Sequence, residues 1–206
     1  MVKQERAVRT RDTLIRSAAE IFDREGFAVA SLTAISTLAG VSNGALHHHF
    51  TSKAALTDAV EEAALARLLA VTEAGLPLGA SRIQLLVDVT HRLATALRGD
   101  VVLRAGFELS GEMSRPPHID LREWWRRWVA ETLRQADSEG ELRPDVTALD
   151  VVSAVVAATV GFEVLGAREA AWLSASTITR FWRLLLPTVV SAALLADLDS
   201  KGTGPL

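Results

Sequence analysis

AGVSNGALHHHF, residues 39–50, is the stretch of sequence that decides the fold. Gly40 is suited to a tight turn, and Ser42 is suited to cap a helix that ends near His49. A short helix over residues 32–39 is predicted to precede the turn. Two short helices joined by a glycine-containing turn indicate a helix-turn-helix.

Longer helices are predicted on both sides of this motif. Residues 10–25 carry apolar side chains at helical spacing, and Gly26 follows as the residue that ends the helix. Residues 53–74 form the next predicted helix, and residues 75–79, GLPLG, are predicted to be a linker.

Helical periodicity continues to the C-terminus, and strand-like alternation is nearly absent. Further helices are predicted near residues 81–98, 101–113, 119–138, 147–166 and 174–197. We therefore predict an all-α protein. Residues 1–53 form an N-terminal helix-turn-helix DNA-binding domain, residues 54–198 a helical ligand-binding and dimerisation domain, and residues 199–206 a flexible tail.

Charge is unevenly divided along the chain. Residues 1–56 hold seven Lys or Arg against five acids, whereas the remainder holds fifteen against twenty. The N-terminal part is therefore slightly basic although the whole chain carries −3. Local positive charge favours contact with phosphates, which gives mild support to nucleic-acid binding.

Composition and motifs exclude several classes of protein. The absence of cysteine excludes disulfides and fits a cytoplasmic protein. The apolar run 146–165 is broken by Asp150 and Glu163, so no membrane association is predicted. No nucleophile elbow, phosphate-binding loop or dinucleotide fingerprint occurs, so we predict no enzyme, no catalytic residue and no cofactor.

Five polar or small residues around the motif are candidates for DNA contact. Gly44 has no side chain to hold the helix off the major groove, and Asn43 is predicted to pair with a base edge. Ser42 is predicted to cap the helix or contact a phosphate. Thr33 and Lys53, which begin the neighbouring helices, are also predicted to contact phosphates.

The histidine triplet 47–49 has two alternative roles. Consecutive helical residues point about 100° apart, so three in a row cannot converge on one ion, and no metal site is predicted. We expect His47 to face DNA, while His48 or His49 packs inward beside Phe50. Because a protonated imidazole attracts phosphate, we hypothesise that His47 makes operator binding depend on pH.

A longer set of residues occurs in a fixed order between positions 5 and 60. It comprises Thr10-Arg11, Ala18-Ala19-Glu20, Phe22, Gly26-Phe27, Ile35, Ala39-Gly40-Val41, Gly44-Ala45-Leu46, His49-Phe50, Ser52-Lys53 and Leu56. In this order the residues resemble the DNA-binding domain of the TetR family of transcriptional regulators. The resemblance implies a homodimer that binds a pseudo-palindromic operator in double-stranded DNA and releases it when a small molecule binds.

A narrower resemblance covers more of the chain. Its residues are Lys3-Gln4-Glu5-Arg6-Ala7, Gly44-Ala45-Leu46, His49-Phe50, Val102-Leu103-Arg104-Ala105-Gly106 and Leu109-Ser110. They resemble the γ-butyrolactone receptors of Streptomyces. That family usually has Lys where this chain has Asn43, and Tyr-Phe where it has His47-His48. Altered residues here are also found in pseudo-receptors, which respond to other molecules, often antibiotics.

Several functions remain open at this point. The resemblance implies control of secondary metabolism by a γ-butyrolactone-type signal or an antibiotic-like metabolite. One alternative is a multidrug-responsive repressor of an efflux gene. The other is a helical protein that binds protein partners and has only weak affinity for DNA.

The four candidate residues for a small hydrophobic ligand all lie in the second half of the chain. Trp125 resembles the tryptophan that lines the pocket of γ-butyrolactone receptors, and the alternative is a core tryptophan. Thr159, a hydroxyl in an apolar run, is predicted to bond a ligand carbonyl, or else to bond back to the carbonyl of residue 155. Phe107 and Phe162 are further candidates.

Two helices are candidates for the dimer interface. The first carries small residues that allow a partner helix to approach closely, namely Ala154, Ala157, Ala158 and Gly161. The second covers residues 181–195. Together they would form a four-helix interface, as the resemblance to the TetR family implies. The alternative is that either helix is buried within one subunit.

Overall fold

The protein is all-α in the part of the chain that the computed structural model describes, residues 2–73 and 81–203. The helices are α1 (Val2–Glu25), α2 (Leu32–Leu38), α3 (Asn43–His49), α4 (Lys53–Thr72), α5 (Arg82–Gly99), α6 (Val101–Ser110), α7 (Leu121–Ser138), α8 (Ala148–Gly166), α9 (Ala175–Val189) and α10 (Ala192–Leu195), with a 3₁₀ turn at Ala170–Leu173. The predicted fold class is confirmed. The predicted linker 75–79 lies outside the described residues.

Two predicted helices differ from the structure in their bounds. Ser191 begins α10 by accepting a hydrogen bond from the Leu194 amide, so the single helix predicted over residues 174–197 is divided in two. Val190, between the two helices, forms an isolated antiparallel bridge with Leu142. In contrast, α1 begins at Val2, eight residues before its predicted start.

The described chain divides into two compact units that are discontinuous in sequence. The first consists of Met1–Leu68 and Asp100–Leu121, and the second of Leu69–Gly99 and Arg122–Leu206. The predicted boundary after residue 53 therefore differs from the structural one. The reason is that α4 continues unbroken beyond residue 53, and α6 packs on α1 within the first unit.

Packing in the first unit depends on two specific contacts of α6. Arg104 donates to both carboxylate oxygens of Asp23 on α1, at 2.9 and 3.0 Å. Gly106 lies so close to α4 that a Cβ atom there would be 2.3 Å from the Cβ of Ala64. Because real carbon atoms do not approach that closely, any larger residue at position 106 would push α6 away from α4.

The helix-turn-helix forms as predicted from its local signals. Ser31 and Ser42 cap α2 and α3, each accepting a backbone N–H bond of 3.1 Å three residues later. Gly40 has a φ of +66°, which L side chains rarely adopt. The amide of Val41 then bonds the carbonyl of Ser36 at 3.0 Å, which closes the turn.

The second unit holds the start of the predicted flexible tail in place. The backbone amide of Asp199 donates to Gln84 on α5 at 2.8 Å, and the hydroxyl of Thr203 donates to Asp88 at 2.6 Å. Residues 199–203 are therefore bonded to α5, contrary to the expectation for residues 199–206. Residues 204–206 lie outside the described part of the chain.

Candidate functional site

The outer face of α3 is the first candidate site. Gly44, His47 and His48 are exposed, and their spacing of three and four residues places them on one face of the helix. Leu46 and Phe50 are buried on the other side. An ideal Cβ at Gly44 would meet only the hydroxyl of Ser42, at 3.9 Å. The backbone at this position is therefore accessible to another molecule that lies against the helix.

The exposure of the three histidines agrees with the prediction that His47 lies outward and that His48 or His49 packs inward. His47 is exposed, in agreement with a role in facing DNA. His49 is half-buried, and its ring meets that of His48 edge-on at 5.5 Å. The inward-packed histidine is therefore His49, and His48 joins the exposed face. Among the described residues, no three His, Cys, Asp or Glu side chains lie close enough together to hold a metal.

Asn43 bonds to α2 instead of pointing freely outward. Its carbonyl accepts a hydrogen bond of 2.6 Å from the hydroxyl of Ser36, which is buried. Its amide nitrogen lies 3.5 Å from the hydroxyl of Thr33. Thr33 is exposed at the start of α2, where it was predicted to contact phosphate. Asn43 and Thr33, both predicted to contact DNA, are thus hydrogen-bonded to each other.

Lys53 is turned toward the backbone of the segment between α1 and α2. Its ammonium donates to the carbonyl of Phe27 at 2.5 Å and lies 4.2 Å from the centre of the Phe27 ring. Burial lowers the pKa of Lys53, and the charge of Glu112 acts in the opposite direction. An ammonium group has three N–H donors, so these contacts leave one donor of Lys53 for the predicted phosphate contact.

A buried ion cluster between α4 and the segment before α7 was not predicted from the sequence. Glu61 is fully buried and accepts from Arg115 at 2.5 Å and from the amide of Ile119 at 2.8 Å. Arg115 also bonds Asp58 at 3.1 Å and lies 5.5 Å from the Phe27 ring. The signal that could have revealed it was a glutamate in the otherwise apolar core positions of α4.

The second candidate site brings Trp125 and Thr159 together. The indole N–H of Trp125 donates to the Thr159 hydroxyl at 2.8 Å, and that hydroxyl donates in turn to the carbonyl of Val155 at 2.8 Å. Trp125 is buried and stacks on Trp128 with ring centres 5.2 Å apart. The bond back to residue 155, one of the two alternatives for Thr159, is therefore present in the structure.

An ion pair lies on the same two helices about one turn away. Arg122 on α7 and Glu163 on α8 approach to 2.9 Å. Burial raises the pKa of Glu163, while the charge of Arg122 and its hydrogen bond oppose that shift. The Trp125–Thr159 bond and this ion pair together fix how α7 packs on α8.

The two phenylalanines predicted to line a ligand pocket lie in different compact units of the chain. Phe162 is half-buried in the second unit and meets Phe181 edge-on, with ring centres 5.6 Å apart. Phe107 is buried in the first unit, on α6. Its burial is accounted for by the core of that unit.

Replacing Thr159 by valine tests how much the indole bond contributes. Valine keeps the volume but leaves the buried N–H of Trp125 without an acceptor, so we expect the free energy of unfolding to fall by about 1–3 kcal/mol. Urea denaturation at fixed protein concentration measures the loss. Thr132→Val is the matched control, because that hydroxyl bonds only the carbonyl of Trp128 on its own helix. Equal losses in the two variants would contradict the expectation.

The outer surfaces of α8 and α9 form a third candidate site, which is apolar. Ala154 and Ala157 are exposed on α8, and Leu184 on α9 is 79% exposed. Within the described chain, α8 alone is long and apolar enough to cross a membrane by length and composition. The same surface suits a partner helix, because small side chains allow two backbones to approach closely.

Comparison with known proteins identifies relatives over almost the whole chain. Residues 14–60 match the family model described as bacterial regulatory proteins, tetR family. The A-factor receptor protein of Streptomyces griseus is 29% identical over 208 residues, which cover 98% of this chain and 71% of the relative. The HTH-type transcriptional regulator UidR of Escherichia coli K12 is 34% identical over 156 residues, which cover 69% and 74%.

Solved structures extend the similarity to the fold. A gamma-butyrolactone receptor described as an ArpA-like protein superposes with a TM-score of 0.80 at 28% identity, over 93% of this chain and 94% of that one. CprB from Streptomyces coelicolor in complex with its biological operator sequence gives 0.78 at 28% identity, over 93% and 94%. At 93% of the chain, each superposition extends well beyond the helix-turn-helix into the helices that follow it.

Proposed function

The chain belongs to the TetR family of bacterial regulatory proteins, and from this premise we propose that it is a ligand-responsive repressor that binds a pseudo-palindromic operator as a homodimer. The exposed face of Gly44, His47 and His48 on the capped helix α3 carries the proposal, because this face is free to enter a major groove. Residues 1–53 form the DNA-binding part and residues 54–198 the ligand-binding and dimerisation part. We assign no catalytic role and a cytoplasmic location.

The apolar surface of α8 and α9 supports the homodimer. Ala154, Ala157 and Leu184 are exposed in the single chain, and the same helices of a second copy would cover them. Two-fold symmetry then presents two α3 helices to two half-sites about one helical turn of DNA apart.

The ligand is proposed to act at Trp125 and Thr159. Their polar groups are bonded to each other, so a hydrophobic ligand with a carbonyl oxygen can compete for the same donors. Such a ligand is a γ-butyrolactone or an antibiotic-like metabolite. To turn a nearly full operator into a nearly empty one, it must prefer the released state by about 10⁴-fold.

Operator binding and ligand release are tested in two steps. We expect the protein to retain, from a pool of random duplexes, a sequence with inverted half-sites, and a synthetic alkyl γ-butyrolactone or an antibiotic to release it in a gel shift. Recovery of no duplex would overturn DNA binding. Retention of the duplex while tryptophan fluorescence shows the ligand bound would overturn induction.

A further inference from the structure

Starting from the DNA binding proposed above, we propose that Asn43 is a positioning residue that fixes α3 against α2, and that base pairs are distinguished by Gly44, His47 and His48. Although Asn43 is the first residue of the helix that contacts DNA, its side chain is engaged within the protein. The assignment concerns specificity, because an asparagine at this place would otherwise be expected to recognise adenine.

The geometry of the amide carries the proposal. An asparagine recognises adenine through one edge, with its oxygen accepting from one base atom and its nitrogen donating to another. In this protein the oxygen and the nitrogen of Asn43 both face α2, toward Ser36 at 2.6 Å and Thr33 at 3.5 Å. The two-atom edge required for a base is thus turned to the neighbouring helix.

Burial of Ser36 strengthens the assignment. Ser36 is only 3% exposed, and its backbone carbonyl accepts the amide of Val41 at 3.0 Å, so it belongs to the turn between the two helices. Releasing Asn43 to a base would break the 2.6 Å bond from this buried hydroxyl and leave its proton to the carbonyl of Thr33, at 3.0 Å.

The side chains that remain available on α3 are the two exposed imidazoles. His47 and His48 flank the open backbone at Gly44, and each can donate to or accept from a base edge in the major groove. Ser42 is engaged as the helix cap at 3.1 Å. The exposed face is therefore made of one glycine and two histidines.

The test compares Asn43→Ala and Ser36→Ala on the operator selected by the parent protein and on its single-base-pair variants. Both changes break the same hydrogen bond, between Ser36 and Asn43. Each should therefore weaken operator binding by about three- to tenfold, and the double variant should bind the operator no more weakly than either single variant. Both protein variants should rank the single-base-pair variants of the operator in the same order of affinity as the parent protein does. His47→Ala or His48→Ala should instead abolish discrimination at one position.

Two outcomes would overturn the proposal. One is loss of discrimination at a single base pair in Asn43→Ala, with Ser36→Ala binding as tightly as the parent. The other is additive weakening in the double variant. Thermal melting by circular dichroism checks that each variant is folded. If Ser36→Ala does not fold, Asn43→Ala still provides the test, because Asn43 is an exposed residue whose replacement should not unfold the protein. Failure of the parent to select any duplex would count against the proposed function instead.

Discussion

Replacing Glu61 by alanine is expected to lower the free energy of unfolding by about 3–5 kcal/mol, because it removes the buried partner of Arg115 and leaves that guanidinium with the more exposed carboxylate of Asp58. Glu61 is fully buried, whereas Arg115 retains 15% of its side-chain exposure. The alanine also removes the acceptor of the Ile119 amide. Urea denaturation of the full chain at one protein concentration measures the loss, since unfolding of a dimer depends on concentration.

Asp58 provides a control on the same guanidinium group. Its carboxylate also bonds Arg115, at 3.1 Å, but is 40% exposed, so water competes with the bond. Asp58→Asn is therefore expected to cost no more than about 1 kcal/mol. If the two variants lost the same stability, burial would not be what makes the Glu61 contact strong.

Local sequence rules were sufficient to predict the helix-turn-helix. Caps act three residues away, as Ser42 does on Ala45, and a turn glycine acts at its own position, as Gly40 does. Both kinds of interaction can be recognised in a single short stretch. The positions of α2 and α3 therefore agree with prediction to within a residue.

The partners of the polar side chains were not predictable in the same way. Lys53 bonds the backbone of Phe27, which lies 26 residues earlier, and Arg115 bonds Glu61, 54 residues away. Such contacts depend on how helices pack, and the residue types alone allow a phosphate contact equally well. The prediction that Lys53 binds phosphate remains a proposal.

Trp125 and Thr159 show an intermediate case. The bond from Thr159 back to Val155 follows from helical spacing and was one of two stated alternatives. The bond from Trp125 to the same hydroxyl joins residues 34 apart and could not be inferred from spacing. The bonds to Trp125 and to Val155 are compatible, because a hydroxyl donates one hydrogen bond while it accepts another.

Replacing Ala157 by glutamate is expected to separate the dimer and, with it, to abolish tight operator binding. Ala157 is exposed on α8 in the single chain, within the small-residue surface proposed to meet a partner helix. A carboxylate buried there without a partner costs about 3–5 kcal/mol, which corresponds to a loss of dimer affinity of roughly 100- to 4,000-fold. Sedimentation equilibrium measures the mass, and a gel shift on the selected operator measures binding.

Ser138→Glu is the control, because it adds the same charge to an exposed position at the end of α7. That variant should remain dimeric and bind the operator as the parent does. The fold of Ala157→Glu should also survive, since an exposed side chain of the single chain carries no packing within it, and circular dichroism checks this. A folded Ala157→Glu variant that stays dimeric at micromolar concentration would exclude this face of α8 from the interface. If it were monomeric yet bound the operator with the parent's affinity, one α3 helix would suffice, and the requirement for two half-sites would be wrong.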